Sequence, residues 1–391
     1  MTRLIGTVAM GLRAPIVKKG DNLVDIVGDI VEEVGKDEVR LHDKDVVAVT
    51  ESLLARSQGN YATIEQIAKD FSNKFDNDEV AILFPILSRN RFSILLKAFA
   101  LSGKKLHICL SYPSDEVGNL VMDEMDLFNS DVNAYTDVLS IEEFRDVAGD
   151  YKHIFTEMDY PEFYSEIAKN SEIHFLNNPV DCLKFTDNVL VASIHTRNIV
   201  KRQLEEAGAK KVLKLDEILT ESVDGSGFNP DYGLLGSNLS TNDVVKLFPR
   251  NAQEFVEKLQ KRLIDETGKH IEVMVYGDGA FKDPVGHIWE LADPVVSPGF
   301  TDGLTGTPNE LKLKYVADND LSELSGKEAA EEFKRLVREK DKNTDSNKRL
   351  GTTPRQITDL LGSLSDLISG SGDKGTPVVL IQGYFDNYAN D

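Results

Sequence analysis

The 391-residue sequence predicts an α+β protein in which an inserted α/β region, residues 76–225, separates two further segments, 1–75 and 226–391. Three observations lead there. From Val80 to Leu215, short apolar runs alternate with helix-length amphipathic stretches, the pattern of a parallel-rich layer with crossover helices. Outside that span, strands and helices succeed one another less regularly. The run Ile271–Tyr276 has the length and β-branched content of a buried strand. It breaks into Gly277-Asp278-Gly279, whose glycines allow the backbone a close approach to a neighbour.

In chain order, residues 4–10 read as a strand, followed by Gly11-Leu12-Arg13-Ala14-Pro15. Asp21 is placed to cap a helix through Val34, with Leu23, Ile26, Val27 and Ile30 on one face. The strand Val46–Val49 runs straight into Thr50-Glu51-Ser52, and Arg56 follows five positions after Glu51. Polar groups at a strand's end with a basic residue behind them could line a phosphate pocket. A helix N-cap at Thr50 or Ser52 accounts for the same residues.

Within the inserted region, strands are expected at Val80–Leu83, Lys105–Leu110, His153–Thr156, Ile173–Leu176, Asn188–Ala192 and Lys211–Leu215. Helices are expected at Arg89–Leu101, Tyr160–Ala168 and Thr196–Ala207, and Gly225-Ser226-Gly227 marks the exit. Ser111–Glu116 and His195 both follow a strand's carboxyl end, where open α/β sheets bind ligands. Neither stretch carries a Walker loop or a G-x-G-x-x-G fingerprint, and His195 alone reads more simply as a structural hydrogen-bonding residue.

The small polar loop Gly236–Asn242 precedes a helix over Ala252–Glu266, which feeds the Ile271–Tyr276 strand. Asp278 and Asp283 flank Lys282 just past that strand. A carboxylate held by a glycine turn at a strand terminus is one way to place a hard cation such as Mg²⁺ beside a phosphate, and a plain surface turn is the alternative. A glycine-rich loop, Ser297–Thr307 with Asp302, leads to an expected strand at Glu310–Val316. Residues 321–350 alternate in charge like a solvated helical insertion. A helix over Thr353–Ile368, with Pro354 in its first turn, runs into the loop Ser369–Gly375 and a strand Pro377–Gln382. That loop could be a nest of backbone donors for phosphate oxygens or a simple connector.

Composition narrows the function classes. With 44 basic and 66 acidic residues the net charge is −22, which argues against nucleic acid or an anionic membrane as partner. Bound phosphates would need metal ions and backbone N–H groups to attract them. The two cysteines, Cys109 and Cys182, are too few for a disulfide framework and read as core thiols. The N-terminus lacks the apolar core of a signal peptide and no run reaches membrane-spanning length, so a cytoplasmic location is expected.

The order of these pieces resembles the coenzyme F-420 gamma-glutamyl ligase family. The match runs through Gly11–Pro15, Lys19-Gly20-Asp21-Asn22-Leu23, Asp45–Ser52, Arg56 and Gly59. It resumes at Gly236–Thr241, Thr267-Gly268-Lys269, the strand before Asp278, Glu310-Leu311, Tyr315–Asp318 and Ser369–Pro377. The resemblance implies a mixed-sheet core and a GTP- or ATP-dependent ligase using Mg²⁺ or Mn²⁺. It would activate a small-molecule carboxylate acceptor as an acyl phosphate for attack by the amine of L-glutamate or a similar amine. It also implies a homodimer.

By position, it assigns nucleotide contacts to Gly11, Leu12, Arg13, Ala14, Glu51, Ser52, Arg56, Thr241 and the second loop (Ser369, Gly370, Ser371, Gly372, Asp373 and Gly375). Arg56 and Lys374 would act on the transferring phosphate, and Asn238 and Asp278 would bind metal, with either Asp283 or Asp302 as the second carboxylate. Three departures stand out. Asn238 replaces an aspartate, Arg56 replaces a lysine, and Gly-Asp-Gly stands where the family has Asp-Thr. The change at Asn238 favours an alternative reading, a nucleotide-binding regulatory protein without ligase turnover. A hydrolase on the same metal site is a further one.

Overall fold

The computed structural model describes residues 4–154, 156–277, 297–340, 346–349, 355–370 and 372–389. Its strands are β1 (Val8–Leu12), β2 (Val46–Thr50), β3 (Tyr61–Thr63), β4 (Glu79–Leu83), β5 (Lys105–Leu110), β6 (Leu139–Ser140) and β7 (Ser171–Phe175), then β8 (Asn188–Val191), β9 (Lys211–Lys214), β10 (Asn238–Thr241), β11 (Val244–Lys246), β12 (Glu272–Tyr276), β13 (Gly299–Phe300) and β14 (Val378–Gln382). They form three sheets, ordered β1-β14-β2-β12-β13, β10-β11-β3 and β6-β7-β5-β4-β8-β9. Helices cover the two larger sheets, and the fold is α+β with mixed parallel and antiparallel pairing.

The five-stranded sheet joins the two ends of the chain. β2 pairs in parallel with β12 and antiparallel with β14, which in turn pairs antiparallel with β1. Val46–Val49, Val273–Val275 and Val378–Ile381 have no exposed surface, so these strands read as unbroken apolar runs rather than as alternating ones. Their alternating side chains still divide between two cores. Val47, Val49, Val273 and Val275 meet Val27, Val31, Leu259 and Leu263 from the helices Leu23–Asp37 and Ala252–Thr267. Val46, Ala48, Met274 and Val379 face Ile357 and Leu361 from the helix Ile357–Ile368. The cap of the first helix is Asn22, which accepts from the Val24 N–H. Asp21, the expected cap, instead accepts from the Lys18 N–H and closes the preceding turn.

The six-stranded sheet is parallel except at its β6 edge. Helices lie on both faces: Phe92–Leu101 and Tyr160–Ile167 on one, Arg197–Glu206 with the turn Pro179–Lys184 on the other. The helix Ile64–Lys74 shares the first of these cores through Ile64, Ile67 and Phe71. Val245 and Leu247 also belong to it. The chain returns at Gly227, whose N–H donates to Tyr61 O. A Cβ there would meet the Tyr61 backbone nitrogen at 2.6 Å, a close approach that only glycine allows.

Several expected elements differ. Of the expected strand His153–Thr156, Phe155 lies outside the described residues and the others make turn contacts: Glu157 N–H donates to His153 O, and Thr156 N–H to His153 Nδ1. Glu310–Val316 is not a strand but a loop leading into the helix Leu313–Asp318. Its alternating apolar residues mimic a strand, yet Val316 alone is buried there, against Leu321, Phe333 and Val337. Its backbone is satisfied by a helical bond, Val316 N–H to Lys312 O, and by Lys312 N–H donating to Lys348 O rather than by a strand partner. The first strand is Val8–Leu12, with residues 4–7 exposed ahead of it. The Ser297–Thr307 loop contributes β13. Among the described residues, no helix is long and apolar enough to cross a membrane.

Phe71 sits with its ring centroid 5.1 Å from that of Phe75 and 4.7 Å from that of Phe99, with no exposed surface. Phe71→Ala is expected to destabilise the protein by about 3–5 kcal/mol, read as a lower urea midpoint at unchanged slope.

Candidate active-site edge

The strand directions decide what meets what. Because β2 runs with β12 and against β14, the carboxyl ends of β1, β2 and β12 and the start of β14 lie at one edge of the five-stranded sheet. Ala14 N–H donates to Gly375 O at 3.0 Å and Thr50 N–H to Pro377 O at 3.1 Å. Tyr276 Oη reaches the same Pro377 carbonyl at 3.5 Å. Gly11 lies so close to Thr376 that a Cβ would sit 3.0 Å from its side chain. Gly11–Ala14, the start of the Glu51–Gln58 helix and the Gly370–Gly375 loop, far apart in sequence, are thus brought together.

The loop is a closed turn. Gly370 and Thr376 exchange main-chain hydrogen bonds, Gly370 N–H also lies 2.9 Å from Thr376 Oγ1, and Gly375 N–H donates to Gly372 O. Those donors close the loop on itself. Lys374 and Asp373 are exposed, and Ser369 Oγ donates to Asp366 O. Ser371 lies outside the described residues.

On the Glu51–Gln58 helix, Arg56 is exposed and its Nε lies 3.4 Å from Val17 O. Ser52 is half-buried. Glu51 turns inward and pairs with Lys246 Nζ at 2.5 Å, the side chains being 8% and 10% exposed. Lys246, which sequence reasoning missed, stands on β11 opposite Asn238 of β10. Its only signal was a single lysine in the apolar run Val244–Phe248.

Asn238 is half-buried and its Oδ1 accepts from the Leu239 N–H. Beside it the Ser237 hydroxyl is buried with no hydrogen-bond partner among the described residues, a second group the sequence did not single out. Thr241 is exposed at the end of the β10–β11 hairpin. Asp278 and Asp283 follow Gly277 at this edge in sequence and lie outside the described residues. Asp302 is not brought here. Thr301 N–H bonds Val273 O, and Gly303 abuts the Glu272 carboxylate, so Asp302 lies at the opposite end of β12.

The six-stranded sheet has its own carboxyl edge, and the protein's side chains fill it. Glu116 accepts from the N–H groups of Ile194, His195 and Thr196 and from Thr196 Oγ1, at the amino end of the Arg197–Glu206 helix. His195 thus takes part through its main chain while its side chain is exposed. Asp115 is buried and accepts from Leu87, Val117 and Asn119 N–H and from Asn119 Nδ2, at 2.8–3.0 Å. Burial pushes its pKa up to about 6 against the pull of those donors.

A family model described as F420-0:Gamma-glutamyl ligase matches residues 11–383 of the chain. No curated protein matches it.

Two predictions come from the buried charges. Lys246→Met strips Glu51 of its cation inside the protein and is expected to cost about 3–5 kcal/mol, of which Glu51→Gln in the same chain restores part, read by urea unfolding. The folded pKa of Asp115, about 6, lies above the unfolded value of about 3.9, so the folded state keeps that proton longer. Its contribution is complete below about pH 4 and is lost as pH rises through 6, by up to about 3 kcal/mol. Asp115→Asn should flatten that slope between pH 4 and 7, whatever it does to stability overall.

Proposed function

The chain belongs to the F420-0:gamma-glutamyl ligase family, and from that premise we propose that it is a nucleoside-triphosphate- and metal-dependent ligase. It joins L-glutamate or a similar amine, through an amide bond, to a small carboxylate-bearing metabolite. The observation that carries this reading is the convergence of Gly11–Ala14, the start of the Glu51–Gln58 helix and the Gly370–Gly375 loop on one sheet edge. Three cationic side chains, Arg13, Arg56 and Lys374, are exposed on those segments. They suit the triphosphate of GTP or ATP, with Arg56 offering a planar fork and Lys374 a point charge. In a chain of net charge −22 such cations have to be local.

A divalent ion, Mg²⁺ or Mn²⁺, would neutralise phosphate charge at this edge. The oxygen-rich donor set fits a hard cation. The Asn238 amide oxygen and the orphaned Ser237 hydroxyl are near the Glu51–Lys246 pair, and Asp278 and Asp283 supply carboxylates in sequence. The acceptor carboxylate attacks the γ-phosphorus to give an acyl phosphate and nucleoside diphosphate. The amine then displaces phosphate and forms the amide. Arg56 and Lys374 hold the transferring phosphoryl oxygens, where charge redistributes in the transition state. The six-stranded unit is proposed as a separate inserted domain that helps select the acceptor, in a cytoplasmic homodimer.

Asn238, a neutral ligand, favours one second reading, a nucleotide-binding regulatory protein without turnover. Thermal shift with GTP and ATP, each with and without Mn²⁺, tests nucleotide binding. Phosphate release that requires both glutamate and a carboxylate acceptor tests the ligase. Binding without release supports the regulatory reading, and no shift with either nucleotide removes both. Arg56→Ala is expected to weaken nucleotide binding at least tenfold, about 1.4 kcal/mol, by calorimetry with Mn²⁺ while leaving the melting temperature of the free protein near wild type.

A further inference from the structure

On the six-stranded sheet, β5 and β7 set three ligand atoms side by side. His107 stands opposite Glu172 in the parallel register, with His174 two residues further along β7, so all three side chains project from one face. His107 Nδ1 lies 3.2 Å from His174 Nε2 and 3.5 Å from Glu172 Oε2, and His174 Nε2 lies 3.7 Å from the same oxygen. Tetrahedral zinc with bonds of about 2.0–2.1 Å holds its ligand atoms about 3.3 Å apart. The three separations fall around that edge length. A lone histidine–histidine hydrogen bond would explain the first distance but not the convergence of the carboxylate on both rings.

The surroundings prepare each ligand. Glu79 Oε2 lies 3.4 Å from His107 Nε2, so it accepts that nitrogen's proton and leaves the Nδ1 lone pair facing the cluster. Lys105 Nζ holds Glu172 Oε1 at 2.8 Å and leaves Oε2 to face the imidazoles. Phe185 stacks on the His174 ring at 3.7 Å and on His107 at 5.4 Å, fixing both planes. Glu172 is half-exposed, which opens a path from solvent and room for a water.

We propose that His107, His174 and Glu172 bind a divalent transition-metal ion of the zinc class, with a water in the fourth position and Glu79 holding the His107 tautomer. Two imidazoles and one carboxylate favour Zn²⁺ or Co²⁺ over Mg²⁺, which prefers oxygen ligands. The ion ties β5 to β7, and through Glu79 to β4, toward the amino ends of those strands and away from the carboxyl edge where Glu116 sits. It uses none of the residues assigned to the ligase reading and does not rest on that reading.

The test uses the full chain, stripped with chelator and titrated with Zn²⁺ by calorimetry and with Co²⁺ by visible absorption, without nucleotide. One ion per chain with the d–d bands of a four-coordinate site is expected. Glu172→Gln and His174→Gln should each weaken binding at least ~100-fold, and Glu79→Gln by about 10–100-fold. Glu172→Gln alters a half-exposed side chain and so tests the site even where His174→Gln disturbs the fold. Saturating Zn²⁺ should raise the melting temperature of the wild type but not of Glu172→Gln, whose nucleotide-induced shift stays unchanged. No stoichiometric uptake by the wild type overturns the proposal. Unchanged Zn²⁺ affinity and Co²⁺ bands in Glu172→Gln overturn it too, because the ion would then sit elsewhere.

Discussion

The parallel pairing of β2 with β12 is the constraint on which the rest depends. It joins Val46–Thr50 to Glu272–Tyr276 across more than two hundred residues, in a register that leaves no freedom for either strand to slip. A shift by one residue would exchange the side chains facing the Leu23–Asp37 and Ala252–Thr267 helices with those facing Ile357–Ile368. Both faces are buried, so both exchanges would be penalised by packing. The direction of this pair, opposed by β14, carries segments from both ends of the chain to one edge. Without it, Tyr276 at the end of β12 would not reach the Pro377 carbonyl at the start of β14.

The Glu51–Lys246 pair is the second link. It fastens the end of β2 to the small β10-β11-β3 sheet, whose hairpin carries Asn238. A buried ion pair is a weak source of stability, because desolvation consumes most of the Coulomb attraction. Its stronger effect is on specificity of arrangement. Once both charges are out of water, any placement that separates them is costly, so the hairpin is held where Ser237 and Asn238 can serve the edge. The orphaned Ser237 hydroxyl is consistent with a site whose last polar partner comes from a ligand.

Much of the fold was legible in the sequence, and the exceptions have physical reasons. Apolar runs such as Val46–Val49 and Ile271–Tyr276 specify strands because nothing but a buried sheet can accommodate them. The charged run around the Gly326–Glu339 helix was legible for the opposite reason, as its side chains pair at helical spacing on an exposed surface. Glu310–Val316 misled because its alternation answers to local polarity, while a strand also needs a partner edge. His153–Thr156 failed in the same way. At the candidate site, the order of the motifs pointed to their meeting, but Lys246 was invisible because its importance lies wholly in a contact made 195 residues away. Asp302 shows the converse: its distance in sequence from Asp278 is modest, yet the antiparallel pairing of β13 with β12 carries it to the wrong end of β12.

The two large sheets differ in how they treat their carboxyl edges, and this difference bears on where an anionic substrate can bind. In the six-stranded sheet, the helix N-terminus after β8 would attract a phosphate or carboxylate, but Glu116 already takes three main-chain donors and a hydroxyl there. A ligand would have to displace a carboxylate that is covalently tethered and fully hydrogen-bonded, so it would lose most of its binding energy to that exchange. Asp115 closes the neighbouring loop with four donors of its own. The five-stranded edge has the opposite character. Its single described carboxylate next to β2 is turned inward onto Lys246, while Arg56 and Lys374 face outward. In an acidic protein, an edge that turns Glu51 inward and exposes Arg56 and Lys374 beside Asp373 repels a polyphosphate less than the edge that Glu116 fills.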